Sequence, residues 1–227
     1  MHLDGVVLLT DPLLRSRVAH LRRVHPVVPI PRVDAVLLSH LHADHLDFQS
    51  LGLVPREVPL VLPAGAAPLV RRRSRRKLVE LAVGDETRIG AVTIRAVRAD
   101  HKSGRHPLSR RVEPLGFVLS GSQAVYFAGD TDLFPEMAQL APLDVALVPV
   151  AGWGPTVPPG HLDPERAAEA VRLLRPRVAI PIHWGTYRMI GAQGSGVEPA
   201  ESFRDEAARV APEVDVRILQ PGEATEI

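Results

Sequence analysis

Ser39-His40-Leu41-His42-Ala43-Asp44-His45 places three imidazoles and a carboxylate within six positions, directly after the apolar run Ala35-Val36-Leu37-Leu38. That density of nitrogen and oxygen donors is the signature of metal binding, whereas scattered surface histidines stand alone. The apolar run reads as a short buried strand, so the first His pair sits where a strand becomes a loop. Side chains two apart on an extended segment point the same way, which lets His40 and His42 close on one ion while Asp44 and His45 face another. Imidazole with carboxylate suits zinc above all, and manganese and iron take the same ligands.

Further candidates follow apolar stretches in the same way. His101 comes after Val92 to Val97, which alternates as a strand. Asp130 follows Val125 to Ala128, and His183 follows Val178 to Ile182. The Gly- and Pro-rich loop from Gly152 to Gly160 leads to His161. Two cationic stretches stand out. Lys102-Ser103-Gly104-Arg105-His106, continuing to Arg111, begins beside His101, and Arg71 to Lys77 holds six cations in seven residues. The first is a candidate substrate contact through Lys102 and Arg105. The second reads as a solvated helix end near the negative pole of the helix dipole.

The positioning elements are expected to be strands capped by loops, with a few helices. Gly5 to Thr10 is a strand stopped at Asp11-Pro12, and residues 12–33 read as a loop-rich crossing in which His20 and His25 lie on the surface. Short helical turns follow over Phe48 to Leu53 and Ala64 to Val70. Leu115 to Leu119 and Val125 to Ala128 form a hairpin. Asp144 to Val150 is a buried strand, and Asp163-Pro164-Glu165 opens a helix running to Leu174 with Asp as cap and Pro at the first helical position. Gly185 to Gly196 reads as a loop, Pro199 to Val210 as a helix and Val214 to Leu219 as a closing strand.

The 227 residues suit a single domain spanning 1–227, with 45% hydrophobic and 23% charged residues. Net charge is +1, so no global field drives the chain onto nucleic acid or a membrane. With no cysteine, any metal site must be built from His, Asp or Glu. No apolar run approaches the roughly 18 residues of a membrane span, and no signal peptide is evident, so the chain reads as cytoplasmic.

The stretch His40-Leu41-His42-Ala43-Asp44-His45 resembles the His-x-His-x-Asp-His motif of the metallo-β-lactamase superfamily. Gly129-Asp130-Thr131, His161-Leu162-Asp163-Pro164-Glu165 and Ile182-His183-Trp184-Gly185-Thr186 are similar to the branch holding N-acylphosphatidylethanolamine phospholipase D and the ascorbate-phosphate lactonases. The resemblance implies an α/β fold, an αββα sandwich of two mixed β-sheets with helices on the outer faces and a metal site at one sheet edge. It also implies two divalent metal ions. His40, His42 and His101 would hold one, Asp44, His45 and His183 the other, and Asp130 would bridge them. Family members usually begin with a further strand, so the sheet is expected to open at its second strand.

The implied activity is hydrolysis by a hydroxide activated between two metals, on a small-molecule or lipid-like anionic substrate such as a phosphodiester or phospholipid. Asp44 would orient the nucleophile as well as bind metal, and His161 would hold substrate or protonate the leaving group. The alternatives are a lactonase or carboxylic-ester hydrolase, and a non-catalytic metal- or nucleic-acid-binding protein using Arg71 to Lys77.

Overall fold

Several strands bury both of their faces, and a strand of that kind must be covered on two sides. Ala35–Leu37 and Leu60–Pro63 are buried throughout, and Leu115–Ser120 is buried except at its last residue. The computed structural model describes residues 1–27, 29, 32–102, 112–151, 157–190 and 196–227. Among these, a five-stranded sheet has the order β1 (His2–Leu3), β2 (Val6–Thr10), β5 (Ala35–Leu37), β6 (Leu60–Pro63) and β7 (Leu78–Leu81). A seven-stranded sheet has the order β15 (Asp215–Val216), β13 (Pro176–Ile182), β12 (Leu143–Pro149), β11 (Ala124–Phe127), β10 (Leu115–Ser120), β9 (Val92–Arg98) and β8 (Glu86–Ile89). Both sheets are mixed. β1 runs antiparallel to β2 and the rest of the smaller sheet is parallel. In the larger sheet β8 to β11 are antiparallel and β11, β12, β13 and β15 parallel.

The period of two sorts each strand between layers. Ala35 and Leu37 of β5 meet Ile94, Leu115 and Phe117 between the sheets, while Val36 faces outward with Leu60 and Leu62. That outer face is covered by α1 (Phe48–Leu51) and α2 (Ala67–Arg71), through Leu51 and Val70. On the far side, Val118, Tyr126 and Val148 pack against α3 (Pro164–Leu174) and α4 (Glu198–Val210), through Val171, Leu174 and Phe203. The layers run helix, sheet, sheet, helix, as the sequence implies. The cap of α3 is also as expected: the Arg166 amide donates to the Asp163 carboxylate at 2.8 Å, and Pro164 stands in the first turn.

Several local expectations need correction. Residues 12–33 are not all loop, since β3 (Arg17–Val18) and β4 (Leu21–Arg23) form a hairpin. β14 (Tyr187–Met189), inside the stretch expected as a loop, pairs with β4 to complete a three-stranded sheet. Strands of two or three residues are too short to show alternation, and the Tyr187–Arg23 pairing joins distant parts of the chain. β15 is shorter than the closing strand expected, and β8 was not foreseen. A two-residue edge strand, β1, precedes Val6–Thr10 and pairs with it. No helix among the described residues is long and apolar enough to cross a membrane.

The cationic run is also different from a solvated helix end. Only Arg71 belongs to α2, and Arg76 is 5% exposed. Its guanidinium donates to the carbonyls of Leu51 at 2.8 Å, Val58 at 3.0 Å, Val54 at 3.2 Å and Pro55 at 3.3 Å, so one side chain satisfies the acceptors of a whole turn after α1. Leu51 and Pro55 also accept the amides of Val54 and Val58, but an apolar replacement would take this donor from the carbonyls of Val54 and Val58. Arg76→Met is expected to cost about 2–4 kcal/mol in urea unfolding. An unchanged midpoint would show that water replaces the guanidinium without loss.

Candidate metal centre

The expected donors come from strand ends that meet at one edge of the two sheets. β2 and β5 are parallel neighbours, so Asp11 and the Ser39–His45 stretch leave the smaller sheet side by side. β11 and β13 lie parallel on either side of β12 and deliver Asp130 and His183 from the larger sheet. The Leu115 amide donates to the Ser39 carbonyl at 2.9 Å and ties the two sheets together there. Gly129 has φ +62°, and a Cβ on it would come within 2.6 Å of the Ser39 Cβ, so only glycine lets the two strand ends approach this closely. His183 itself takes φ +65°, a strained conformation for a residue with a side chain.

Two groups of donors form. His40, His42 and His101 make one, and Asp44, His45, Asp130 and His183 the other, with the donor atoms of each group within 4.8 Å of one another. Between them sits Asp130, 2% exposed. Its Oδ2 is 3.1 Å from His45 Nε2 and 3.9 Å from His40 Nε2, and its Oδ1 is 3.5 Å from His183 Nε2. Asp44 Oδ2 lies 3.8 Å from His45 Nε2 and 3.9 Å from His183 Nε2.

The outer nitrogens of the rings determine what the inner ones offer. His101 Nδ1 faces the Gly160 carbonyl at 2.7 Å and His183 Nδ1 faces the Ala151 carbonyl at 2.9 Å, so each carries its proton there. His45 Nδ1 is 2.8 Å from Asp11 Oδ2. The Ser39 hydroxyl donates to Asp11 Oδ2 at 2.5 Å, so its oxygen accepts from His40 Nδ1 at 2.9 Å. In the neutral form all four rings therefore turn an Nε2 lone pair inward, the arrangement in which partners behind the ring orient metal-binding histidines. His42 differs, presenting Nδ1 at 3.1 Å from His101 Nε2.

The donor set fits divalent cations. His40 Nε2 and Asp130 Oδ1 are buried without a hydrogen-bond partner among the described residues, and buried polar atoms are seldom left so. The electrostatics agree. Burial holds His40 well below the ordinary histidine pKa. Burial acts the same way on His45, but the Asp130 and Asp11 carboxylates outweigh it and hold that ring well above the ordinary value. For Asp130 burial favours the neutral acid, yet the surrounding His183 and His45 keep its pKa well below the usual carboxylate range. Burial lowers both His42 and His101.

All seven donors expected from the sequence lie in these two groups. His161 joins them, with Nε2 3.3 Å from Asp130 Oδ2, closer in than a peripheral loop histidine would be. Lys102 is exposed. Arg105 lies outside the described residues. His20 and His25 are exposed, as expected.

Two further residues were not among the candidates. Asp11 holds Ser39 and His45 together: besides its contacts to their side chains, its Oδ1 accepts from the Ser39 amide at 2.8 Å. The sequence signal was there, a carboxylate at a strand end like Asp130. Asp132 accepts from the Gly160 amide at 3.1 Å and pairs with Arg166, fixing the loop whose carbonyl orients His101 and whose next residue is His161. Asp11→Asn is expected to weaken metal binding by about 10–100-fold, because both carboxylate oxygens accept here, and the NH2 of an amide would face either the Ser39 amide or the Ser39 hydroxyl and the His45 ring, donor against donor. Titration with a chromophoric metal competitor measures it, and unchanged affinity would make Asp11 a turn residue only.

The sequence matches the Beta-lactamase superfamily domain over residues 7–184. It is 36% identical over 201 residues to a UPF0173 metal-dependent hydrolase of Deinococcus radiodurans, covering 86% of this chain and 80% of that protein. It is 32% identical over 246 residues to an uncharacterized protein of Mycobacterium tuberculosis, covering 98% of this chain but 64% of the relative, so the chain spans less than two thirds of that protein's length. Among solved structures, a metallo hydrolase from Ignicoccus hospitalis superposes with a TM-score of 0.75 at 24% identity, covering 98% of this chain and 91% of its own, a likeness of fold. None of these three bears the name of the phospholipase D branch that Ile182 to Thr186 resembles. The chain belongs to the metallo-β-lactamase superfamily and, within it, to the UPF0173 metal-dependent hydrolase family.

Proposed function

We propose that this protein is a single-domain hydrolase whose centre holds two divalent ions, zinc fitting the donors best, and whose substrate is a phosphodiester or phospholipid-like anion. His40, His42 and His101 would hold one ion, Asp44, His45 and His183 the other, with Asp130 between them. The observation that carries the reading is the inward turn of four Nε2 atoms around a buried carboxylate. Bound divalent ions supply a water of lowered pKa and polarise the oxygen of the bond to be broken.

The protein's own groups divide the remaining work. Asp44 is 19% exposed at its side chain where Asp130 is 2%, so it is the carboxylate that can reach an entering water and accept a hydrogen bond from it. Burial lowers His161, but its contact with Asp130 outweighs this and leaves its pKa raised, which favours a ring that can give a proton from Nε2 to a leaving oxygen. Lys102, exposed directly after His101, supplies a cation for an anionic substrate, and Arg105 belongs to the same segment.

Metal content after purification without chelator, followed by turnover of a bis-aryl phosphodiester and of a lactone, tests the reading. Two ions with phosphodiester turnover supports it. Lactone turnover alone moves the substrate to the carboxylic-ester class, and no metal after reconstitution removes the reading altogether.

Metal binding must also displace a proton. The two carboxylates beside His45 raise its pKa and favour the protonated ring in the metal-free centre, and a proton on Nε2 has to leave before that atom can ligate. Apparent metal affinity is expected to fall by up to about tenfold for each unit of pH lowered below the His45 pKa, with about one proton released on binding. Calorimetry in buffers of different ionisation enthalpy reads the proton directly, and proton uptake would contradict the assignment.

A further inference from the structure

The centre makes no use of the strongest charge concentration in the chain. Of 27 Lys and Arg residues balanced by 26 acids, six lie in the seven residues from Arg71 to Lys77. Arg76 is turned inward, and Arg71, Arg72, Arg73, Arg75 and Lys77 are exposed. Among the described residues none of these five has an ion-pair partner. The nearby Glu80 carboxylate is occupied by the amides of Gly65 and Ala67, at 2.7 and 3.0 Å.

The run is rigidly mounted. Arg76 is bonded to the carbonyls of Leu51 and Val54, and the Arg73 guanidinium lies 5.0 Å from the centre of the Phe48 ring. Both contacts fix the run against α1 and the turn that follows it, only a few residues beyond His45. That turn, held to the run through Arg76, carries two more features. Arg56 is exposed, and Leu53 is 64% exposed, the most exposed large apolar side chain among the described residues. Arg71, Ser74, Arg75, Arg76, Lys77 and Leu78 also line a concavity of about 400 Å³.

We propose that this face docks on an anionic phospholipid surface, with the cations against the headgroup phosphates, one phosphate in the concavity, and Leu53 reaching the acyl boundary. Cations clustered on a rigid face concentrate at a negatively charged bilayer, and an apolar side chain projecting among them adds the partition that charge alone lacks. The same cations would also attract nucleic acid, but the Phe48 ring beside the run already lies under the Arg73 guanidinium, and residues 51–57 and 69–78 contain no aromatic residue on which a base could stack. A projecting leucine has no role against a phosphate backbone.

Flotation with vesicles of phosphatidylcholine alone, and of phosphatidylcholine with phosphatidylglycerol, tests the proposal. Wild-type protein is expected to float with the anionic vesicles only and to be released by high salt. Reversing three charges, in R72E/R75E/K77E, should lower the binding constant at least about a hundredfold with the thermal midpoint retained. Leu53→Ser should lower it several-fold with no change in charge. Equal flotation with neutral vesicles, undiminished binding by the triple variant, or binding to a duplex oligonucleotide with none to vesicles would each overturn it. The salt dependence of the wild-type protein decides the matter even where a variant fails to fold.

Discussion

Asp130→Ala should lose its metal and with it all measurable turnover. The carboxylate is buried between His45, His161 and His183, at 3.1 to 3.5 Å from each, and its two oxygens face different rings. Removing it leaves the cations of the centre, bound ions or protonated rings, facing one another across a low-dielectric gap with no compensating charge. Deleting one member of such a buried charge cluster costs about 3–5 kcal/mol, or roughly two to four powers of ten in a binding constant. Elemental analysis of Asp130→Ala beside Asp130→Asn separates charge from shape, since Asn fills the same space. Two ions retained with full activity in either variant would mean that Asp130 serves only the Gly129 turn.

The second large effect is expected from His40→Ala/His42→Ala. These rings belong to the same donor group as His101, and without them one histidine remains for that ion. One ion per chain should be lost and hydrolysis abolished. His40 is 1% exposed, so its truncation also leaves a void beneath the Ser39–Asp11 contacts. The half-buried His42 therefore provides the cleaner reading. His42→Ala alone should keep its thermal midpoint and still lose turnover by about two powers of ten or more. Activity that survives in His42→Ala would make the first ion structural.

The donors were legible in the sequence because each follows an apolar strand, and strands in this fold deliver their last residues to a common edge. His101, Asp130 and His183 are far apart in the chain, yet each stands directly after an element whose apolar composition already marks it as buried. The layers were legible through the resemblance carried by the His40–His45 motif; the opposite facing of Val36 and Leu37 shows only that the strand is covered on both sides. What escaped was work done by oxygen and carbonyl partners behind the rings. Asp11 has the same position relative to its strand as Asp130, but a carboxylate beside proline is an ordinary turn residue until the chain is seen to pass Ser39 and His45. Arg76 escaped because a cation among cations looks solvated, and only the cluster of carbonyls after α1 explains why it turns inward. The small third sheet has no periodicity to read, and its register comes from a partner at the other end of the chain.

That third sheet governs the order in which the protein can assemble. The Tyr187 hydroxyl donates to the Arg15 carbonyl at 2.7 Å across 172 residues of chain, the Val24 amide donates to the Thr186 carbonyl at 3.0 Å, and the Arg23 guanidinium lies over the Tyr187 ring. His183 stands just before this clasp and Asp11 just before its other half. Closing so long a loop is slow, and contacts this distant in sequence reward the chain only after most of it is in place. The edge that brings His183 to Asp130 and Asp44 is therefore expected to close late in folding, and a nascent chain holds its full set of donors only once residue 183 has been made.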